Sequence, residues 1–250
     1  VLEIGSLYLT YHYNDDDSID YVDFGTSDFT GTESFEFDYY DRLSSRTYEF
    51  FAEDTGTQYS IFDNEVNYTY VDDGTHTNAQ VATYSSTING VTTTYTYTYD
   101  YKGNITKVQY SNGQEIRYYY DDIGQLIRED NELLGWSYVY EYDRAGNIIY
   151  SITLELTPED EEPTDLYGMK EFDYANTEWG DLLTMAFRED ITYDSIGNPL
   201  TYYNECEYSF DWEGRRLVGA TVNSSTSLSF TYNADGIRTS KTKNGVTTTY

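Results

Sequence analysis

Carboxylates are the most abundant reactive groups in this sequence, with 45 Asp and Glu among 250 residues. A pair flanking a sugar linkage would suffice for glycoside hydrolysis, one acting as acid and the other as base or nucleophile. A cluster could instead hold Ca²⁺, a hard cation that takes oxygen ligands, and Asp15-Asp16-Asp17 and Asp72-Asp73 are the runs to weigh. Neither run lies in an EF-hand loop or a Gly-Gly-x-Gly-x-Asp nonapeptide, so both read as solvated acidic turns. His12 and His76 are far apart, and neither has a metal-ligating neighbour at useful spacing. Ser195 has no nucleophile-elbow pattern around it. Cys206, the only cysteine, has no triad context and reads as a small packed side chain. Trp136, Trp179, Trp212 and the many Tyr could stack on sugar rings, but cross-strand packing predicts the same rows. The expectation is no catalytic residue, no metal ligand and no cofactor.

The carboxylates that recur at regular spacing belong to a repeat, and repetition argues against a single catalytic pair. Its frame is an aromatic residue, Asp, two variable residues, Gly, then Asn, Gln or Arg. The first clear copies are Tyr99-Asp100 with Gly103-Asn104, Tyr120-Asp121 with Gly124-Gln125, and Tyr142-Asp143 with Gly146-Asn147. Tyr193-Asp194 with Gly197-Asn198, Phe210-Asp211 with Gly214-Arg215, and Tyr232-Asn233 with Gly236 complete the series. From Asp100 to Asp121 is 21 positions, and from Asp121 to Asp143 is 22. Phe172-Asp173 lies 21 positions before Asp194, and the interval of 30 ahead of it absorbs an acidic, proline-flanked insertion at 157–165. That insertion reads as an exposed loop. The step from Asp194 to Asp211 is short at 17.

Upstream the frame decays. Phe37-Asp38 carries Asp41 in the Gly slot, and Tyr13-Asn14 carries Asp17 there. Both substitutes tolerate a left-handed backbone better than other residues with a side chain. No clean copy can be placed in the 62 positions between Asp38 and Asp100. The chain therefore divides into a degenerate segment, 1–91, and a clear one, 92–250.

These motifs need strands on either side. Residues 94–99 alternate Thr and Tyr, so Tyr95, Tyr97 and Tyr99 share one face of a strand. Asp at the strand end can close an Asx-turn, and Gly supplies positive φ at little steric cost. Strands are expected to end near Tyr99, Tyr120, Tyr142, Tyr193 and Tyr232. Asn89-Gly90, Asn112-Gly113 and Asn244-Gly245 are hairpin signals for the opposite ends of the units. One period is two short strands with a turn at each end. The fold class is all-β: tandem antiparallel β-hairpins in a continuous sheet that must curl or spiral, since flat open sheets rarely extend far.

Charge narrows the partners. The net charge is −31, which repels a phosphate backbone and an anionic membrane surface alike. It is uneven, because Arg215, Arg216, Arg238, Lys241 and Lys243 face only Asp235 at the C-terminal end. No apolar run approaches the roughly 18 residues needed to span a bilayer. A start without a signal peptide and a stop inside a strand-like pattern suggest a piece of something longer.

The Tyr-Asp-x-x-Gly-Asn frame, its 21-residue spacing and the Asn-Gly hairpins resemble the Rhs (YD-repeat) family, clearly from about Thr92 to Tyr250. Trp179–Thr184 with Ile191–Pro199, and Tyr232–Lys241, look like the tail of the repeat region in Rhs proteins of Gram-positive bacteria. The resemblance implies a secreted or cell-surface protein whose repeats wind into a hollow β-shell. In bacterial polymorphic toxins and insecticidal toxin complexes the shell encloses a C-terminal toxic domain, and in teneurins it serves adhesion. The partners so implied are the remainder of the same polypeptide and its effector. A carbohydrate-binding or cell-adhesion module, with glycans or a cell-surface receptor as partner, is the alternative. Either reading expects no enzyme activity, no nucleic acid and no membrane insertion.

Overall fold

Period-two alternation of Tyr with Thr, Ser or Glu does produce strands, and strands are the only regular elements among the described residues. The computed structural model describes residues 2–4, 7–26, 29–54, 57–157 and 161–250, with 2–4, 53, 54, 57–59 and 61 described by backbone alone. Residues 158–160 of the acidic insertion therefore lie outside the described residues. No helix among those described is long and apolar enough to cross a membrane.

The strands are β1 (Leu2–Ile4), β2 (Leu7–Tyr13), β3 (Ile19–Gly25), β4 (Phe29–Phe37), β5 (Leu43–Asp54), β6 (Thr57–Asp72), β7 (Thr77–Ile88) and β8 (Val91–Tyr99). They continue with β9 (Ile105–Tyr110), β10 (Glu115–Tyr120), β11 (Leu126–Asn131), β12 (Trp136–Tyr142), β13 (Ile148–Glu155), β14 (Leu166–Asp173), β15 (Met185–Ala186) and β16 (Glu189–Asp190). The last six are β17 (Thr201–Tyr203), β18 (Glu207–Glu213), β19 (Arg216–Val222), β20 (Thr226–Tyr232), β21 (Arg238–Lys243) and β22 (Val246–Thr249). They form two antiparallel sheets, β1 to β16 and β17 to β22, and in each the spatial order is the order along the chain. This is the tandem-hairpin, all-β architecture that the repeat predicts.

Two compact units are present, Val1–Tyr119 with Asp130–Leu134, and Tyr120–Glu129 with Gly135–Tyr250. The change from degenerate to clear motif at 91/92 falls at the start of β8, inside the first unit.

In the first unit, Tyr68, Tyr84, Tyr95 and Tyr110 stand in one cross-strand row, with ring centroids 5.5, 5.5 and 4.9 Å apart. Each such pair contributes about 0.5–1.5 kcal/mol beyond its buried area. On the opposite face Thr69, Thr83 and Thr96 lie opposite one another, and the Thr69 and Thr83 hydroxyls are 2.6 Å apart. Among the described residues the buried apolar set is small: Val22, Val66, Val108 and Ile116 in the first unit, and Leu154, Ala186, Ile191 and Ala220 in the second. Burial of a Val, Ile or Leu contributes about 1.5–3 kcal/mol. So few of them leave half-buried Tyr rows and the main-chain ladder to carry much of the stability.

Candidate functional site

The motif residues build one turn many times. At Asp143, Oδ1 accepts the main-chain N–H groups of Ala145 at 2.8 Å and Asn147 at 2.9 Å, while Oδ2 accepts Asn147 Nδ2 at 2.9 Å. The Asp143 N–H donates to the Asn147 carbonyl at 2.9 Å, and the Gly146 N–H to the Asp143 carbonyl at 3.2 Å. Asp100 with Asn104 and Asp194 with Asn198 repeat the same side-chain bonds. Asp121 with Gln125 and Asn233 with Ile237 repeat the Oδ1 bonds to the main chain. Gly103, Gly124, Gly146, Gly197 and Gly236 have φ of 92, 89, 91, 86 and 80°. Asp41 and Asp17, in the Gly slots of the degenerate copies, have φ of 58 and 66°.

This geometry sets the strand register. Tyr13 pairs with Ile19, Phe37 with Leu43, Tyr99 with Ile105, Tyr142 with Ile148 and Tyr232 with Arg238, each across a one-residue register shift. A type I turn closed by a residue with positive φ produces such a bulge and re-aims the strand that follows.

The turn carboxylates are occupied. The Asn147 side chain, then its main-chain N–H, holds the Asp143 carboxyl below the ordinary range. At Asp194 the main-chain N–H of Asn198 is the largest influence in the same direction. At Asp38 it is the Arg42 guanidinium.

A second device links repeat to repeat, and the sequence reading missed it. The Tyr142 hydroxyl donates to the Leu126 carbonyl at 2.6 Å, Tyr99 to Val81 at 2.8 Å, Tyr193 to Leu183 at 2.6 Å and Tyr232 to Leu217 at 2.8 Å. Trp212 Nε1 takes the same part, donating to the Pro199 carbonyl at 2.7 Å. At the other ends of the units, Asn223 and Asn244 each donate a main-chain N–H to an earlier strand, at Glu207 and Ser227, 2.8 and 2.9 Å away. Their side-chain oxygens accept the N–H of those same residues at 2.8 and 2.9 Å.

Several copies depart from the frame. Asp211 closes no Asx-turn: it lies within β18, opposite Gly219, and the turn falls at Gly214-Arg215. Gly219 has no Cβ where Asp211 Oδ2 would stand 2.6 Å from one. Tyr193 ends no strand. It makes an isolated bridge to Pro199, whose lack of an N–H stops the ladder. After Phe172-Asp173, which lacks the Gly, the turn opens into a loop from Tyr174 to Thr184. Between Asp38 and Asp100 a hidden copy does occur. Tyr70 donates to the Leu43 carbonyl at 2.8 Å, and Gly74, four positions on, has φ of 85°. Its Tyr-to-Gly spacing was the available signal; its Asp residues are displaced.

The remaining candidates stay scattered. Asp16 accepts the Ser18 N–H and hydroxyl, and Asp73 accepts the Thr75 and His76 N–H groups, so both runs serve local turns. Among the described residues no three or more His, Cys, Asp or Glu are grouped to hold a metal. His12 stacks on Tyr21 with Nε2 3.2 Å from Asp23, while His76 lies beside Asp73. Ser195 is exposed on the Asp194 turn, and Cys206 is half-buried and free. Trp136 packs on Tyr167 with centroids 4.4 Å apart. Of the three Trp, only Trp179 is highly exposed.

No family model and no curated protein matches the sequence. Among solved structures, that of TcdB2-TccC3-Cdc42 is similar with a TM-score of 0.44 and 11% identity, over 96% of this chain and 15% of that one. The Photorhabdus luminescens Tc holotoxin pore is similar with a TM-score of 0.40 and 10% identity, over 94% and 15%. A porin-like protein from Bacteroides uniformis aligns over 98% and 92% with a TM-score of 0.28 and 14% identity. This chain thus spans about a seventh of the length of the first two.

Proposed function

We propose that this chain is a non-catalytic structural segment of a secreted or surface Rhs-repeat protein, forming part of a β-shell that encapsulates or presents a C-terminal effector. The observation that carries the reading is the repeat-to-repeat fastening: Tyr hydroxyls to earlier carbonyls, and turn Asn residues to earlier strands. The conspicuous polar groups of the repeat serve this assembly, and the motif carboxylates hold turn donors rather than facing one another across a cleft.

The test uses the full reading frame that contains this chain. Limited proteolysis of the intact protein should leave the C-terminal region protected, and deletion of residues 92–250 should expose it. Equal cleavage of that region with and without the repeats would overturn the shell. A glycan array serves the competing view, since a sugar preference competed by free sugar would favour a lectin-like module.

A further inference from the structure

Two arginines of this chain settle where an aromatic ring meets a carboxylate. The Arg42 guanidinium is 4.1 Å from the Tyr70 ring centroid and 5.0 Å from that of Tyr40, with Asp38 Oδ2 2.6 Å from its Nη2. Arg46 lies 4.6 Å from the Tyr48 ring and pairs with Glu33. With 14 Lys and Arg against 45 carboxylates and 31 Tyr, the sequence offers far more rings and acids than cations.

The second unit holds a ring-and-carboxylate site at whose edge the one cation, among the described residues, is Arg215, whose Nη2 donates to the Ile196 carbonyl at 3.1 Å. The loop between β14 and β15 presents Trp179, 48% exposed. Asn176 Oδ1 accepts the N–H groups of Glu178 at 3.0 Å and Trp179 at 2.9 Å, and the Leu182 N–H donates to the Trp179 carbonyl at 3.0 Å. The indole rests on Gly197, where a Cβ would come within 2.7 Å of Cζ3. Loop and ring are thus positioned before any ligand arrives. Trp179, Glu178, Tyr193, Asp194 and Ser195 line a cavity of about 550 Å³, and among the described residues no Lys or Arg lines it. Asp194 stays ionised through the bonds of its turn.

We propose that this cavity binds an arginine side chain of a basic polypeptide partner, its guanidinium stacked on Trp179 and facing the Glu178 carboxylate. Trp has the most favourable ring for a cation. A guanidinium is planar, weakly hydrated and able to stack and pair at once. The two carboxylates oppose an anion, and the −31 charge draws a basic segment toward the surface. This interaction goes beyond the structural role proposed above and stands whether or not the repeats enclose an effector.

Any polycation will be attracted to so acidic a protein at low salt, so the diagnostic part is what survives screening. The intact 250-residue chain is titrated with hexa-arginine by calorimetry in about 0.5 M salt, where exposed charges are screened beyond roughly 4–5 Å. Trp179→Leu should weaken binding by about fivefold or more, Trp179→Phe by less, and Glu178→Gln should also weaken it. Hexa-lysine should bind the wild type more weakly than hexa-arginine. A ¹⁵N-labelled wild-type sample gives a readout free of folding artefacts. The indole N–H resonance assigned to Trp179, by its loss in Trp179→Phe, should shift most on addition of hexa-arginine. Equal affinity for the Leu variant, or shifts confined to Trp136 and Trp212, would overturn the proposal.

Discussion

The phenolic hydroxyl of Tyr142 donates to the main-chain carbonyl of Leu126 at 2.6 Å, fastening the last residue of β12 to the first residue of β11. The bond is part-buried, and Tyr99, Tyr193 and Tyr232 repeat it with earlier main-chain carbonyls. Removing the hydroxyl while keeping the ring isolates its contribution. Tyr142→Phe should cost about 1 kcal/mol, which for a chain of this size lowers Tm by roughly 2–4 °C. Tyr101, 93% exposed on the Asp100 turn, is the control, and Tyr101→Phe should melt like the wild type by scanning calorimetry. Equal melting of both variants would show that the pin contributes nothing.

The turn glycines differ in what surrounds them. Gly124 has φ of 89° and open space where a Cβ would stand. Gly124→Asn should therefore be tolerated better than Gly124→Val, because a β-branched side chain fits the left-handed region poorly. Gly197→Ala adds a steric clash with Trp179, at 2.7 Å, to the same strain. Thermal stability should fall in the order Gly124→Asn, Gly124→Val, and Gly197→Ala should melt below Gly124→Ala. Identical melting of the Asn and Val variants would count against the turn geometry.

Acid should act through the motif carboxylates. Asp143 has its carboxyl held below 3.8, chiefly by the Asn147 side chain. A folded value below the unfolded one stabilises the fold above the unfolded value, and that stabilisation is lost as pH falls through the folded value. Asp143→Asn cannot titrate. The Tm difference between wild type and variant should be constant from about pH 7 to 5 and shrink as pH falls below about 3.8. Comparing the pair cancels the change in repulsion among the other carboxylates. A difference that stays constant through the acid range would rule out a stabilising role for the Asp143 charge.

Alkali should act through the tyrosines. Burial raises the hydroxyls of Tyr99, Tyr142 and Tyr193 above 10.0. A raised folded value stabilises the fold below the unfolded value, and this is lost as pH rises through the folded one. Ultraviolet titration should show a late Tyr class, ionising above pH 10 together with loss of the strand signal in circular dichroism. One uniform transition with the strand signal intact would contradict it.

The strand-turn-strand frame was legible because it is local. Alternation decides which side chains share a face, and Asp and Gly at the ends of Tyr99, Tyr120 and Tyr142 encode turns through bonds that span only four residues. Even the hidden copy at Tyr70 kept the Tyr-to-Gly spacing. Local pattern failed where neighbours decide. Asp211 carries the motif yet stays in β18, because the turn three residues on and the absent Cβ of Gly219 make that placement possible. Tyr193 carries it too, but Pro199 withholds the N–H that would extend its strand.

The sequence by itself thus determined the all-β class, the repeat and most of its turns, since each depends on backbone preferences within a few residues. Tertiary structure alone decided which Tyr hydroxyl reaches which earlier carbonyl, and which of three Trp stands open over a glycine. Those outcomes depend on how segments 10 to 18 residues apart are placed against one another, by strand register at Tyr99, Tyr142 and Tyr232 and by the loop before β15 at Tyr193 and Trp179. A one-residue slip in that register turns a side chain to the other face, and composition carries no record of which way the slip falls.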